Sequence, residues 1–360
     1  MVRRFGPAHR LGTARLVGAG AWAAAVLCAS SAGAQTITVD IPPSNATQLA
    51  EALGTSTDEL VRQMEAEIAA LYGMLNVKEY LRLSANAQTM VSSGNAADYG
   101  SNPDGFFFGI GAGGALSVGD EDIASADFEV ERDVPVGGGV MLSALLGYNL
   151  ADQGLPWLTF SVHGMYLPME SGQLDGEVMN LGARVQFKLF QHNESSGFDF
   201  LHWGGLDVTT GFSWARTRLG LEDTYEAATD LSSEVRLRTA ALGTFEVTQT
   251  AYTVPLELTT NFTLFEIFTL YGGAGIDIPF GDASVSADLT ADLTAEYNGE
   301  DIDAGVATIR VEDSNGADDW LPRALVGVQL NIWRLRAYAQ LDVSLVDTAL
   351  AGSAGLRVMF

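Results

Sequence analysis

The chain has 360 residues, of which 18% are charged, and its formal net charge is −26 with an isoelectric point near 4.3. Apolar residues make up 47% of the chain, enough to build a core, so the composition excludes a protein that is disordered throughout. The acidic balance excludes a broad nucleic-acid-binding surface, which needs clustered Lys and Arg, and an electrostatic anchor on anionic lipid.

Residues 1–34 have the features of a cleavable secretory signal peptide. Four arginines precede position 16 without an acidic residue, residues 16–30 are apolar, and residues 32–34 offer an A-x-A cleavage site. A membrane anchor is the alternative, although the apolar stretch is short for crossing a bilayer. Cleavage removes Cys28, the one cysteine of the chain, and would leave no disulfide, cysteine nucleophile or cysteine-based metal site.

Residues 35–103 are predicted to form a helical segment, either a plug in a barrel or a periplasmic cap. Ser56 and Glu59 have the spacing of a capping box at a helix start. Apolar residues follow at spacings of three and four: Leu60, Met64, Ile68, Leu71 and Leu75. This pattern predicts a helix over about 57–75, with a weaker continuation to about 90. Its apolar stripe must cover a barrel lumen, a barrel base or a partner helix.

From residue 104 to residue 360, apolar positions alternate with small or polar ones, which is the signal of half-buried strands. In the clearest run, Leu181 and Val185 alternate with Arg184 and Lys188. A soluble β-sandwich would show the same alternation. Several runs reach the roughly 9–11 residues that a tilted strand needs to cross a bilayer. We therefore predict an all-β fold, an antiparallel transmembrane β-barrel that follows the helical segment.

The spacing of the runs sets the expected number of strands. Long connections are predicted at 119–137, 219–243 and 282–319, all on one side of the barrel, and short turns on the other side, as in outer-membrane barrels. The count is about 10–12 strands, and an even number places both ends of the barrel on one side. Two weaker segments, 283–297 and 304–313, either extend above the membrane as a hairpin or raise the count from ten to twelve.

The last eight residues, 353–360, resemble the C-terminal assembly signal of bacterial outer-membrane barrels. Gly355 and the terminal Phe360 match that signal, while Val358 stands where an aromatic residue is common. The resemblance implies export to the outer membrane, contact with its lipid, and recognition of the last strand by the barrel-assembly machinery, which reads such a strand at a sheet edge.

A second resemblance is carried by the helical N-terminal segment, the Gly-rich first strand and the run Leu-Tyr-Gly-Gly-Ala-Gly at 270–275. These features are similar to uncharacterised barrels of the long-chain fatty-acid transporter-like class. In that class an N-terminal segment plugs the lumen. The resemblance implies a plugged architecture and suggests hydrophobic substrates, and it assigns no binding residue.

Alternation places nine charged residues on the inward face, where they are the candidates for lining the lumen. They are five bases and four acids: Arg184, Lys188, Arg323, Arg336, Arg357, Asp207, Glu257, Asp277 and Asp342. Paired charges and small side chains can fill a narrow barrel. Alternatively, the same charges line a polar pore and select solutes.

The remaining negative charge is concentrated in the predicted loops. Residues 282–319 contain eleven acids and a single base, Arg310. A solvated rim explains such a loop, and divalent-cation binding or attraction of cationic solutes are the functional alternatives. No metal site and no cofactor are predicted.

The histidines that follow the predicted signal peptide, His163, His192 and His202, lie in no catalytic motif, so we expect no enzyme activity. The expected function is a passive channel or transporter for small solutes, hydrophobic ones included. The first alternative is a non-conducting surface barrel whose acidic loops bind ions or another surface. The second is a soluble periplasmic β protein. Neither nucleic acid nor a cofactor is an expected partner.

Overall fold

The structure of the protein is a computed structural model that describes residues 77–94, 105–119, 135–190, 200–230, 235–297 and 300–360, with Thr47, Ser56, Asp58, Glu59 and Arg62. The predicted signal peptide lies outside the described residues, as does most of the predicted 57–75 helix. Glu59 does donate its backbone N–H to Ser56 Oγ at 3.3 Å, as a capping box requires. No described helix has the length and apolar character needed to span a membrane.

In the described part of the chain from residue 77 onward, one helix and eleven strands make up the regular structure, with a single 3₁₀ turn, Ala151–Gln153, between the second and third strands. In chain order they are α1 (Val77–Gly94), β1 (Phe106–Val118), β2 (Val136–Leu150), β3 (Leu155–Ser171), β4 (Leu174–Phe190), β5 (Leu201–Asp230), β6 (Val235–Leu264), β7 (Phe268–Tyr297), β8 (Glu300–Gly316), β9 (Leu321–Ile332), β10 (Leu335–Ser344) and β11 (Thr348–Met359).

The strands pair antiparallel and close into a barrel. Strand β1 pairs with both β2 and β11, and β6 pairs with β7, so the order of the sheet returns on itself. The N-terminal part of β7, up to Asp277, pairs with β9. Its C-terminal part, from Asp282 onward, pairs with β8 and is called the upper part below. Ten strands therefore form the ring, and β8 extends it on one side. This confirms the predicted barrel, with the two weaker segments as a projecting hairpin.

Alternation sorts the side chains of each strand into two faces. On β4, Leu181 is 61% exposed while Arg184 is 2% exposed, as predicted. On β7, the outward residues from Phe268 to Phe280 are apolar or glycine, and the next ones, Asp282 and Ser284, are polar. After strand tilt, this apolar stretch of β7 rises roughly 30 Å along the barrel axis. The barrel thus has an apolar outer band and a polar interior.

The prediction of a long loop at 219–243 was wrong, and residues 282–319 form the projecting hairpin rather than an irregular loop. Strands β5 and β6 remain paired up to Asp230 and Arg236, and β7 and β8 remain paired up to Tyr297 and Glu300. The backbone ladder continues above the apolar band, where outward positions such as Asp282 and Asp292 are polar while inward positions such as Val285 and Ala291 are apolar and buried. The third predicted loop, 119–137, falls mostly outside the described residues.

Helix α1 lies inside the barrel. Its side chains from Leu83 to Ser93 are buried, and it packs against two glycines of β2, Gly137 and Gly139. A Cβ atom at Gly137 would lie 2.2 Å from the carbonyl carbon of Leu83. Only a residue without a side chain permits this close approach of helix and strand. The structure thus places the described helix in the lumen rather than below the barrel.

Candidate functional site

A network of ionisable side chains lies in the lumen near Gly94, the C-terminal end of α1. Arg323 is fully buried and donates from Nε to Asp277 Oδ2 at 2.8 Å, and its Nη1 and Nη2 atoms contact Asp342 and Glu257. These residues lie on β9, β7, β10 and β6. Glu257 and Arg323 both pair with Gly275 across the sheet. Because Gly275 has no side chain, the two charged groups meet above it.

Arg184 links this network to the plug. Its Nη1 lies 3.4 Å from Glu257 Oε1, and its Nη2 donates to the backbone carbonyls of Ser92, at 3.2 Å, and Ser93. Those carbonyls end α1, where the helix dipole is negative and the last carbonyls lack helical partners. A guanidinium from the wall therefore caps the helix and fixes its inner end in the lumen.

The five residues of this lumen network, two arginines and three carboxylates, are all buried: Arg184, Arg323, Glu257, Asp277 and Asp342. Buried ions cost several kcal/mol each to desolvate, so each depends on its partners. These predicted lumen residues are brought together, with two arginines facing three carboxylates. This arrangement favours paired charges filling the lumen over a charged open pore at this level.

The other predicted lumen residues lie closer to the lower end, where Phe360 donates its backbone N–H to the carbonyl of Phe106. Lys188 and Asp207 are buried and face each other across β4 and β5. Arg357 is buried with its guanidinium 4.2 Å from the centre of the Tyr338 ring. The five residues that define the lumen network do not include these three charges.

Arg336 is separate from the network as well. It donates to the carbonyls of Trp333 and Leu335 at the β9–β10 turn. Of the residues that match the assembly signal, Gly355 makes room for Tyr338, since a Cβ there would lie 2.5 Å from the ring. Val358 is half-buried on β11.

The wall of the barrel has an opening between β2 and β3. Their pairing ends at Ala144 and Gly164, so residues 136–143 of β2 have no β3 partner, and residues 165–171 of β3 pair only with β4. Side chains take the place of the missing strand. Gln249 donates to the carbonyl of Gly138 at 2.9 Å. Gln88 accepts from the N–H of Val140 at 3.3 Å and donates to its carbonyl at 3.2 Å. Asn180 donates to the carbonyl of Leu142.

A cavity of about 810 Å³ occupies this opening. Its lining combines residues that face the lumen, Tyr80 and Val247, with residues exposed on the outer face, Leu116, Leu219 and Leu350. The cavity therefore joins the space beside α1 to the outer surface of the barrel. Its walls are almost wholly apolar side chains and glycines, so it suits an apolar occupant better than water or an ion.

Sequence reasoning missed this opening because periodicity shows which face a residue occupies and not which strands pair. Two signals were available. Three consecutive glycines at 137–139 indicate a close approach of another backbone, and Pro168 lies in the part of β3 that has a partner on one side only. Among the described residues, no group of three or more His, Cys, Asp or Glu side chains could hold a metal ion.

Comparison with known proteins gives one family and several distant structures. The family model that matches the sequence, over residues 23–360, is described as Lsa36-like. A comparison with curated protein sequences finds no match.

Similar solved structures include the translocator domain of autotransporter NalP from Neisseria meningitidis, at 10% identity and TM-score 0.30, covering 76% of this chain and 93% of that one. The Ralstonia pickettii toluene transporter TbuX has 9% identity and TM-score 0.26, covering 79% and 99%. A Pseudomonas aeruginosa FadL homologue has 9% identity and TM-score 0.23, covering 77% and 97%. At these TM-scores the similarities carry no argument about function.

Proposed function

This chain belongs to the Lsa36-like family, and we propose that it is an outer-membrane β-barrel that transfers small apolar solutes through the opening in its wall. The proposal has three parts: the barrel spans a membrane, the helix closes its axis, and the cavity between β2 and β3 is the solute path.

The outer face supports a location in a membrane. Large apolar side chains are exposed all around the ring, among them Phe106, Ile110, Leu181 and Val326, each more than half exposed. Water would disfavour such a surface, whereas the hydrocarbon core of a bilayer, about 30 Å thick, matches the height of the band. Except beside the opening between β2 and β3, each strand of the ring pairs with a neighbour on both sides, as lipid requires of a backbone.

The filled lumen supports a path through the wall. Helix α1 occupies the upper half of the barrel, and the lumen network lies directly beneath it, so the axis offers no wide aqueous route past the described residues. The single observation that carries the proposal is the cavity of about 810 Å³ that connects the lumen beside α1 with the lipid-facing surface. Ligand pockets commonly measure roughly 300–1,000 Å³, so a small apolar molecule fits.

The test fills the outer mouth of the cavity. Gly352 lines it, and a Cβ atom there has nothing within 4 Å, so the side chain of Gly352→Trp starts from open space at the mouth. The matched control is Ala354→Trp, two residues along the same exposed face of β11. The readout is saturable binding of the apolar dye N-phenyl-1-naphthylamine to the refolded protein, followed by its fluorescence.

We expect the dye to bind the unmodified protein and Ala354→Trp alike, and Gly352→Trp at least about fivefold more weakly because tryptophan occupies the mouth. Equal binding by all three proteins, or an absence of saturable binding, would contradict the proposed path. Heat modifiability on gels verifies that each variant forms its barrel.

A second candidate function is a surface barrel whose acidic upper strands bind a cationic partner. The observation that favours it is the projecting sheet made by the upper parts of β5–β8. Its acids outnumber the arginines that pair with them, Arg238 and Arg310. Replacing residues 283–315 with a short turn should abolish binding to immobilised polylysine and leave the barrel heat-modifiable. Unchanged binding would remove this candidate.

A further inference from the structure

Two carboxylates from different turns meet on the outer half of α1. Asp318 follows β8, and Asp347 lies in the turn between β10 and β11. Their Oδ2 atoms lie 2.5 and 3.3 Å from the same Arg82 nitrogen, Nη1. They also lie 2.6 and 2.9 Å from the same Asn86 nitrogen, Nδ2. Sharing two donors holds the two carboxylates side by side.

Each side-chain nitrogen of Arg82 and Asn86 donates a hydrogen bond to a carboxylate. Arg82 uses its Nε and Nη2 atoms on Glu79, at 3.0 and 2.6 Å. The buried Asn86 side chain accepts from the backbone N–H of Asp318 at 2.9 Å while its amide group donates to both carboxylates. One guanidinium therefore faces three carboxylates. Two carboxylates this close repel each other unless one of them carries a proton.

We propose that Asp318 and Asp347, together with Arg82 and Asn86, form a proton-sensitive latch that holds α1 in the lumen more tightly in acid than at alkaline pH. The proposal rests on the proposed function in one respect, that α1 closes the axis of the barrel and forms one wall of the cavity. When both carboxylates are ionised, their repulsion weakens the latch. When they share one proton, a carboxyl group donates to its carboxylate neighbour and the helix is fixed to two turns at once.

The environment assigns the proton to Asp347. Burial, and then the hydrogen bond with Asp318, raise the pKa of Asp347 to about 6. Burial alone would raise the pKa of Asp318 as well, but hydrogen bonds with Asp347, Asn86 and Arg82 lower it. The pair therefore consists of one acid and one carboxylate below about pH 6.

The sign of the pH effect follows from this shift. The pKa of Asp347 is raised in the latched state above its ordinary value of 3.8. The latched state thus binds the proton more strongly than the released state, so lowering the pH favours latching. Between pH 8 and pH 5 the latch should tighten about tenfold by this linkage. The described charged groups around the pair are Glu79 and Arg82 on α1 and Asp319, which is exposed, beside Asp318.

The test measures access to the helix rather than transport. Because Cys28 is the one cysteine, a Cys28→Ser background with Ser84→Cys carries a single thiol in the buried part of α1. A Ser171→Cys protein, exposed at the β3–β4 turn, is the reference. The labelling rate with a charged maleimide is measured from pH 5 to pH 8.5, and the ratio of the two rates cancels the common effect of thiol ionisation.

We expect this ratio to be about tenfold lower at pH 5 than at pH 8 if release limits labelling. Asp347→Asn keeps a donor and removes the titration, so its ratio should stay low and flat. The matched control, Asp319→Asn, changes a neighbouring exposed acid and should retain the full pH dependence. A ratio that does not change with pH in the parent protein, or one that changes equally in Asp347→Asn, would overturn the latch.

Failure of the latch is distinguishable from failure of the proposed function. If the dye does not bind but labelling responds to pH as described, the latch holds and the solute path is wrong. If the dye binds and labelling is independent of pH, the path holds and the latch is wrong.

Discussion

At the scale of single residues, burial in this protein is inverted. Arg184, Arg323 and Arg357 are among its largest fully buried side chains, whereas Leu181 and Trp333 are exposed. Alternation in the sequence is sufficient to assign these residues to the inner or outer face. It does not show which inner charges meet, because that depends on strand register and on glycines such as Gly275 that leave room between neighbouring strands.

Arg323 is the residue on which the lumen network depends most. Arg323→Met keeps much of the volume and leaves Glu257, Asp277 and Asp342 without their shared partner. Removing one partner of a buried ion pair costs about 3–5 kcal/mol, and we expect a loss of this size in the free energy of unfolding. Guanidinium chloride unfolding in lipid vesicles, followed by tryptophan fluorescence, measures it.

Arg336→Met is the matched control for this substitution. Arg336 bonds only two turn carbonyls in the described structure, so its loss should cost about 1 kcal/mol or less. Equal losses for both variants would show that the buried network contributes no more than a turn contact.

At the scale of elements, the sequence predicts strands well within the apolar band, where the outward face of each strand is apolar and the inward face is polar. The strands of the ring, and the face on which each side chain lies, follow from the alternation of apolar and polar residues along the sequence. The upper parts of β5–β8 lie above the apolar band, where the alternation is reversed: outward residues such as Asp282 and Asp292 are polar, and inward residues such as Val285 are apolar and buried. Helix α1 is hard to delimit. Its polar residues, such as Ser84 and Asn86, are buried in a polar lumen, so no exposed polar face marks it.

The contact between α1 and β2 provides a test at this scale. Gly137→Ala places a Cβ atom 2.2 Å from the backbone of Leu83, so helix and strand must separate. We expect labelling of Ser84→Cys at pH 6 to rise by about tenfold or more, the factor that 1.4 kcal/mol of destabilisation gives.

The neighbouring Gly138→Ala is the control for that experiment. A Cβ atom there would lie 3.9 Å from the carbonyl oxygen of Ala115, an ordinary contact. Labelling should therefore stay at the parent level. If both alanine variants label like the parent, α1 does not press against the glycines of β2 in the folded protein.

At the scale of the whole molecule, three features act together: an apolar outer band, a lumen filled by α1 and paired charges, and a gap in the wall beside that helix. The alternation in the sequence predicted the first feature, whereas the second was one of the alternatives that the sequence and the resemblance to plugged barrels left open. The gap arises where β3 leaves β2 and the side chains of Gln88, Asn180 and Gln249 satisfy the free edge. The glycines at 137–139 and Pro168 are consistent with the gap, but they do not show which strands fail to pair.

The closed axis is tested most directly by single-channel recording of the unmodified protein at pH 6, beside Gly137→Ala as the variant with a displaced helix. A barrel closed by α1 should give no current steps in the unmodified protein, and Gly137→Ala should give steps, which also shows that the protein inserts. Stable steps of equal size in both proteins would contradict the central claim, since ions would then pass along the axis while the helix is in place.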